Sequence, residues 1–318
     1  MRTATRWLRR TLILLALLLL LGGATVLVLY RTAPERLLDA NFAAERWWGG
    51  LGTRSIDIDG SRWRYNEGGR GEPVLLVHGM AGSKENWSLL AHYLTGHYRV
   101  IVPDQLGFGA SPNAPDGNYR VTVQAKRLKA FTDALGLQRL HLVGHSMGGH
   151  IAGVFAGRYP ERVQSLTLMD SAGVHFKPNA FSERIERGEN PFATETTEKF
   201  DAFMAMIFVH PPFAPERLRM AYAARNAPRA RLWGLILKRQ IAAKWRFYLE
   251  DHLDKIQAPS LLVWCDQDRL LDVSSVAAFR TELPGARVEI LNGCGHMPMM
   301  ERPRETAALL SQHFEKAR

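Results

Sequence analysis

Leu142-Val143-Gly144-His145-Ser146-Met147-Gly148-Gly149 follows a short apolar run, Arg139-Leu140-His141-Leu142-Val143, and opens onto Ile151-Ala152-Gly153-Val154-Phe155-Ala156. The first run reads as a buried strand and the last as a buried helix. Strand, sharp turn and helix are the setting that a G-x-S-x-G nucleophile elbow requires, with the serine exposed on a strained turn. The residues two before and two after that serine must then be nearly free of side chain, and Gly144 and Gly148 meet that need. G-x-S-x-G also arises as a chance Gly-Ser turn, so partners elsewhere in the chain decide the reading.

Serine at its ordinary pKa is a poor nucleophile and needs a base in reach, itself oriented by a carboxylate. After Ser146 come Trp264-Cys265-Asp266-Gln267-Asp268 and then Asn292-Gly293-Cys294-Gly295-His296, each at the end of an expected strand. Adjacent strand ends would let an acid and a base meet. Asp268 is the expected orienter and His296 the expected general base, then general acid. Asp266, just past the strand, and Asp272, further along the loop, are its rivals for the acid role. Asp170 caps a different strand and reads as structural, and His78, His141, His145 and His150 read as packing or hydrogen-bonding groups. The oxyanion needs two N–H donors, expected from Met147, directly after the nucleophile, and Met80, in His78-Gly79-Met80-Ala81-Gly82.

Outward from this core, Pro73–Val77, Val100–Val102, Ser165–Met169, Ser260–Trp264 and Arg287–Leu291 read as strands. Helical segments near 84–94, 123–135 and 274–283, and from Pro303 onward, alternate with them. Such alternation predicts an α/β fold, a mostly parallel sheet with helices on both faces. Ser55–Tyr65 reads as a β-hairpin about Asp59-Gly60. About eighty residues between Asp170 and Ser260 form an insertion with helical stripes, expected to cap the strand C-termini.

Thr11–Tyr30 carries no charge over a length that can cross a bilayer core. Arg2, Arg6, Arg9 and Arg10 before it predict a cytoplasmic N-terminus and a catalytic domain on the opposite, periplasmic or lumenal, side. A cleaved signal peptide ending near Gly22-Gly23-Ala24, giving a secreted protein, is the alternative. Arg46-Trp47-Trp48 suits either a headgroup layer or packing on the domain.

The 318 residues carry a net charge of +10, and nine cations without an acid lie between Arg217 and Arg246. Two basic clusters beside apolar segments point to a membrane, and no nucleic-acid-binding motif is present. No metal-ligand spacing occurs, and no cofactor is expected. Cys265 and Cys294 make no disulfide framework, and their pairing is left open. The expected organisation is a basic segment 1–10, a transmembrane anchor 11–30, a connector 31–53, core 54–173, helical cap 174–254 and core 255–318.

His78-Gly79, Gly144–Gly149, Gln267-Asp268 with Leu271–Ser274, and Cys294-Gly295-His296 with Met300-Glu301-Arg302-Pro303-Arg304 together resemble the serine α/β-hydrolases. Within them the chain is similar to membrane-anchored monoacylglycerol lipases with one N-terminal helix. That resemblance implies the α/β-hydrolase fold, hydrolysis of an acyl-ester lipid, Ser146, Asp268 and His296 as nucleophile, acid and base, and Met80 and Met147 as oxyanion donors. The cap matches least well, and Cys265 stands where a glycine is usual. Phe200, Phe203, Met204, Ile207 and Phe208 form one apolar helical stripe, suited to lining an acyl tunnel or to packing on the domain, with Met297 adding a flexible wall. Trp233, Leu237, Ile241 and Trp245 form a second, suited to a headgroup layer or to packing on the domain. The alternatives are a serine C–C bond hydrolase, a carboxylesterase for small soluble substrates, and a non-catalytic binding protein on the same fold.

Overall fold

Eight strands form one sheet: β1 Leu51–Ile58, β2 Ser61–Gly68, β3 Pro73–Val77, β4 Arg99–Pro103, β5 Leu140–His145, β6 Val163–Met169, β7 Ser260–Cys265 and β8 Arg287–Leu291. Their order across the sheet is β1-β2-β4-β3-β5-β6-β7-β8. Pairing is antiparallel for β1·β2 and β2·β4 and parallel for every pair from β4·β3 to β7·β8. The computed structural model describes residues 2–317, without the side chains of residues 2–6 and 8, so Arg2 and Arg6 of the basic segment lie outside the described side chains.

The hairpin turns at Asp59 and Gly60, both with positive φ, the geometry that matches the twist of flanking strands. The central strands β3, β5 and β7 are buried along nearly their whole length because helices cover both faces.

Before the sheet, α1 (Arg2–Thr32) is a helix whose described residues are exposed apart from the half-buried Leu29 and Tyr30, and its segment Arg9–Thr32 is long and apolar enough to cross a membrane. Pro34 opens α2 (Pro34–Trp48). The expected connector is therefore mostly helix, and β1 starts at Leu51. Proline suits the first turn, where its missing N–H loses nothing. Among the core helices, α3 (Ser88–Leu94) follows β3, α4 (Val121–Ala134) follows β4, and α5 (Met147–Arg158) follows β5.

Between β6 and β7 the insertion folds as α6 (Ala180–Glu186), α7 (Thr197–Ile207), α8 (Glu216–Asn226), α9 (Ala230–Gln240) and α10 (Ala243–Arg246). The stripe expected to run from Trp233 to Trp245 breaks at Gln240, where α9 ends. Trp233 and Leu237 are buried, and Trp233 lies near-parallel to Phe108 and donates from Nε1 to the Gly107 carbonyl at 3.3 Å. That part of the stripe packs on the domain. The chain closes with α11 (Ser275–Glu282), α12 (Pro298–Glu301) and α13 (Pro303–Lys316).

Candidate active site

Ser146 is the single residue between β5 and α5, and its φ of 55° and ψ of −123° fall where side-chain-bearing residues are rare. Its N–H donates to the Met169 carbonyl at 3.0 Å, and its carbonyl accepts from the amides of Gly149, His150 and Ala172. These bonds hold the strained turn in place. Gly144 and Gly148 are needed for room rather than for positive φ. A Cβ on Gly144 would stand 2.3 Å from the Gly148 oxygen, and one on Gly148 would stand 2.2 Å from the Val77 oxygen.

The His296 Nδ1 lies 2.7 Å from Asp268 Oδ2, and both residues are buried. A carboxylate only accepts, so Nδ1 carries the proton and Nε2 is left as the basic nitrogen. Asp268 Oδ1 accepts the amides of Leu270 and Leu271 at 2.8 and 3.1 Å, which fixes the carboxylate plane. The rivals are engaged elsewhere. Asp266 accepts the Gly293 amide at 2.7 Å, and Asp272 accepts the Ser274 amide at 3.0 Å.

Further groups hold this pair. The His296 amide donates to the Ile207 carbonyl at 2.8 Å. Glu301 accepts the Gly295 amide through Oε1 at 2.7 Å and the Val209 and His210 amides through Oε2, so one carboxylate joins the histidine loop to the end of α7. Burial, then the neighbouring His296, hold the His145 imidazole well below its ordinary pKa, and it donates from Nε2 to the His296 carbonyl at 2.6 Å. Cys265 and Cys294 form a disulfide, with Cα atoms 5.2 Å apart, tying the end of β7 to the loop after β8. Asp170 accepts the Cys265 amide at 2.9 Å, and burial followed by the charge of Asp268 pushes its carboxyl well above the usual range.

The amides of Met80 and Met147 donate to no protein acceptor among the described residues, and both residues line the space around Ser146. Their loop is set by His78. Burial above all keeps its ring neutral, Nδ1 donates to the Gly79 carbonyl at 2.8 Å, and Nε2 accepts the Gln105 amide at 3.2 Å. A Cβ on Gly79 would come within 2.8 Å of Ser146 Cβ, so only glycine lets the loop approach the serine this closely.

Two chambers meet at Ser146 and Met80. The larger, of about 320 Å³, is lined by Phe203, Met204, Ile207, Met297 and His296, and by Leu38, Phe42 and Glu45 of α2. All four residues expected to contact substrate lie on this one wall. The smaller, of about 100 Å³, runs under α6 and α9 and is lined by Met147, His150, Leu237 and Gln240. Among the described residues no group of side chains has the make-up of a metal site.

Residues 72–303 match the family described as having the alpha/beta hydrolase fold. The chain belongs to the α/β-hydrolase family. This α/β-hydrolase is 33% identical over 257 residues to Lipase 1 of Psychrobacter immobilis, covering 78% of this chain and 79% of that one. It is 31% identical over 256 residues to monoacylglycerol lipase ABHD6 of Bos taurus, covering 76% of each. A crystal structure of a membrane phospholipase A, described as a bacterial virulence factor, superposes with a TM-score of 0.86 at 38% identity, covering 96% of this chain and 98% of that one.

In this hydrolase His145 and Asp170 take the hydrogen-bonding and structural parts expected of them, whereas no role was expected of Glu301. Glu301 stands within a run already singled out, five residues beyond His296, but two of the amides it accepts from, Val209 and His210, lie in the cap. Nothing in a linear pattern pairs it with Val209. The contribution of α2 to the cavity likewise has no local signal, because residues 31–53 read only as a connector.

Proposed function

We propose that the chain is a serine hydrolase of monoacylglycerols or related acyl esters, acting through an acyl-enzyme on Ser146. The family and the lipase relatives support a carboxylic ester hydrolase. The observation that carries the finer reading is the 2.7 Å Asp268–His296 bond beside a serine on a strained turn, at the junction of two apolar chambers. His296 Nε2 takes the Ser146 proton as Oγ attacks the ester carbonyl, and the amides of Met80 and Met147 receive the oxyanion. His296 then gives that proton to the departing alcohol. Water attacks the acyl-enzyme in the same way, yielding the fatty acid and the free serine.

The larger chamber, lined by Phe203, Met204, Ile207 and Met297, would take the acyl chain, and the smaller one the alcohol portion. A C–C bond hydrolase would need a free cation for a small carboxylate. Arg246 lines the smaller chamber, but it is paired with Glu186 at 3.3 Å. The exposed segment Arg9–Thr32, the basic residues at its start and α2 in the cavity wall support a single-pass membrane protein. In this reading the N-terminus is cytoplasmic and the acyl-ester lipid reaches the site from the bilayer on the other side, with cleavage near Ala24 as the alternative. A fluorophosphonate probe should label the full-length protein at Ser146 and abolish hydrolysis of p-nitrophenyl esters and monoacylglycerols. Failure of the folded protein to be labelled overturns the reading.

A further inference from the structure

The smaller chamber is apolar except at a few groups, and most of those are already engaged. Ser182 bonds Asn179 through its hydroxyl, and Arg246 is held by Glu186. Two polar atoms remain. His150 Nε2 and Gln240 Oε1 are buried and have no protein partner, and both residues line this chamber. His150 is 2% exposed and Gln240 8%.

The orientation of the Gln240 amide is set by its surroundings. Its Nε2 donates to the Tyr119 carbonyl at 2.8 Å, and a carbonyl accepts only from the nitrogen side, so the unpartnered atom is an oxygen. That oxygen requires a donor. His150 is neutral, because burial lowers its pKa to about 3, and Nε2 of a neutral imidazole either accepts or donates according to tautomer. Its helix position, one turn after the nucleophile with its amide on the Ser146 carbonyl, keeps it next to the reacting ester.

An alcohol portion without protons on its polar atoms leaves Gln240 unsatisfied. An alkyl group offers nothing to either atom, and a phosphodiester or carboxylate presents only acceptors. A hydroxyl donates and accepts, and two neighbouring hydroxyls serve both residues. We propose that His150 and Gln240 form a polyol subsite that hydrogen-bonds the hydroxyl groups of the ester's alcohol portion and selects glycerol-type leaving groups over alkyl ones. The inference rests on ester hydrolysis at Ser146 and adds the specificity-determining pair.

The test uses the full-length protein in detergent micelles with two substrates of one acyl chain, 1-octanoylglycerol and methyl octanoate. The ratio of their kcat/KM values is the readout, compared among wild type, His150→Leu, Gln240→Leu and the conservative His150→Gln. The wild type should favour the glyceryl ester. The ratio should fall about ten-fold in each leucine variant and be partly restored by His150→Gln, since a site built around a hydroxyl discriminates strongly against its absence. An unchanged ratio in folded variants, or no glyceryl preference in the wild type, overturns the proposal. Gln240→Leu, in the cap, carries the test should His150→Leu fail to fold. Methyl esters of hydroxylated and plain octanoic acids separate the sources of hydroxyl, and a His150-dependent preference seen only with the hydroxylated acid overturns the assignment to the alcohol. Loss of hydrolysis of both octanoates and of fluorophosphonate labelling in the wild type would instead fail the ester-hydrolase reading itself.

Discussion

Ser146 keeps its φ of 55° because its own N–H and C=O are both engaged by fixed backbone, and because glycines at 144, 148 and 79 let the chain close around it. The chemistry proposed for it makes a sharp division among the carboxylates. Ser146→Ala and His296→Ala should each lower kcat by about 10⁴–10⁶-fold, with the double variant no worse than either. Asp268→Asn should be severe because it removes the acceptor that sets the histidine tautomer. Asp272→Asn should stay close to wild type, since that side chain serves only the Ser274 amide. A crippled Asp272→Asn beside an active Asp268→Asn would reverse the assignment. His150 also leaves a trace in stability. Its pKa is about 3 when folded and 6.5 when unfolded, so between those values only the unfolded chain binds the proton. Its contribution is complete above about pH 6.5 and declines as pH falls, by about 2 kcal/mol at pH 5. Asp170, with its carboxyl pushed up, works in the opposite direction. Between pH 7.5 and pH 5 the wild type should therefore lose more Tm than His150→Leu, and equal losses would place the acid sensitivity elsewhere.

Among the elements, the disulfide and α2 act at a distance from their own sequence positions. Cys265 lies three residues before Asp268 and Cys294 two before His296, so one covalent bond spans the bases of the two loops that must meet. With the cysteines 29 positions apart in sequence, its removal should destabilise the fold by about 3–4 kcal/mol in the chain-entropy view. Urea unfolding of Cys265→Ala/Cys294→Ala, with kcat measured alongside, checks this, and an unchanged midpoint would show that the bond constrains nothing. Helix α2 clasps the cap through Arg225–Asp39 at 2.7 Å and the Phe42–Tyr222 contact, and it buries Leu38. A chain beginning at Ala33 should thus hydrolyse long-chain esters as the full protein does. One beginning at Thr53 lacks a cavity wall, and its kcat/KM for long-chain esters should fall by at least about ten-fold relative to short-chain ones. Equal chain-length profiles would count against α2 as part of the site.

For the molecule as a whole, the charge pattern changes meaning once the chain is folded. The nine cations from Arg217 to Arg246 have no acid among them in sequence, yet Arg219 pairs with Asp201, Arg225 with Asp39 and Arg246 with Glu186. The other six have no acidic partner among the described residues; Arg217, Arg229 and Arg239 donate to backbone carbonyls, which leaves Arg231, Lys238 and Lys244 as the ones an anionic bilayer would attract most readily, by about 1 kcal/mol each near its surface. Full-length protein should sediment with membranes and be released only by detergent. The chain beginning at Ala33 should bind anionic vesicles in a salt-sensitive way, and replacing Arg231, Lys238 and Lys244 by Gln should weaken that binding without moving hydrolysis of a soluble short-chain ester. Identical vesicle binding by parent and variant would make these charges an ordinary solvated face.

What was legible in the chain was whatever is encoded within a few residues: the Gly-x-Ser-x-Gly turn, the apolar strands, the hairpin at Asp59-Gly60, the uncharged N-terminal helix, and an acid and a histidine at successive strand ends. Each depends on local sterics or on periodicity, which neighbours in sequence suffice to set. The pairing of Cys265 with Cys294, the hold of Glu301 on α7, the entry of α2 into the cavity, the inward burial of Trp233 and the unpartnered atoms of His150 and Gln240 were decided only by tertiary structure. Each joins residues far apart in sequence, and whether a polar atom finds a partner depends on what the completed fold packs against it.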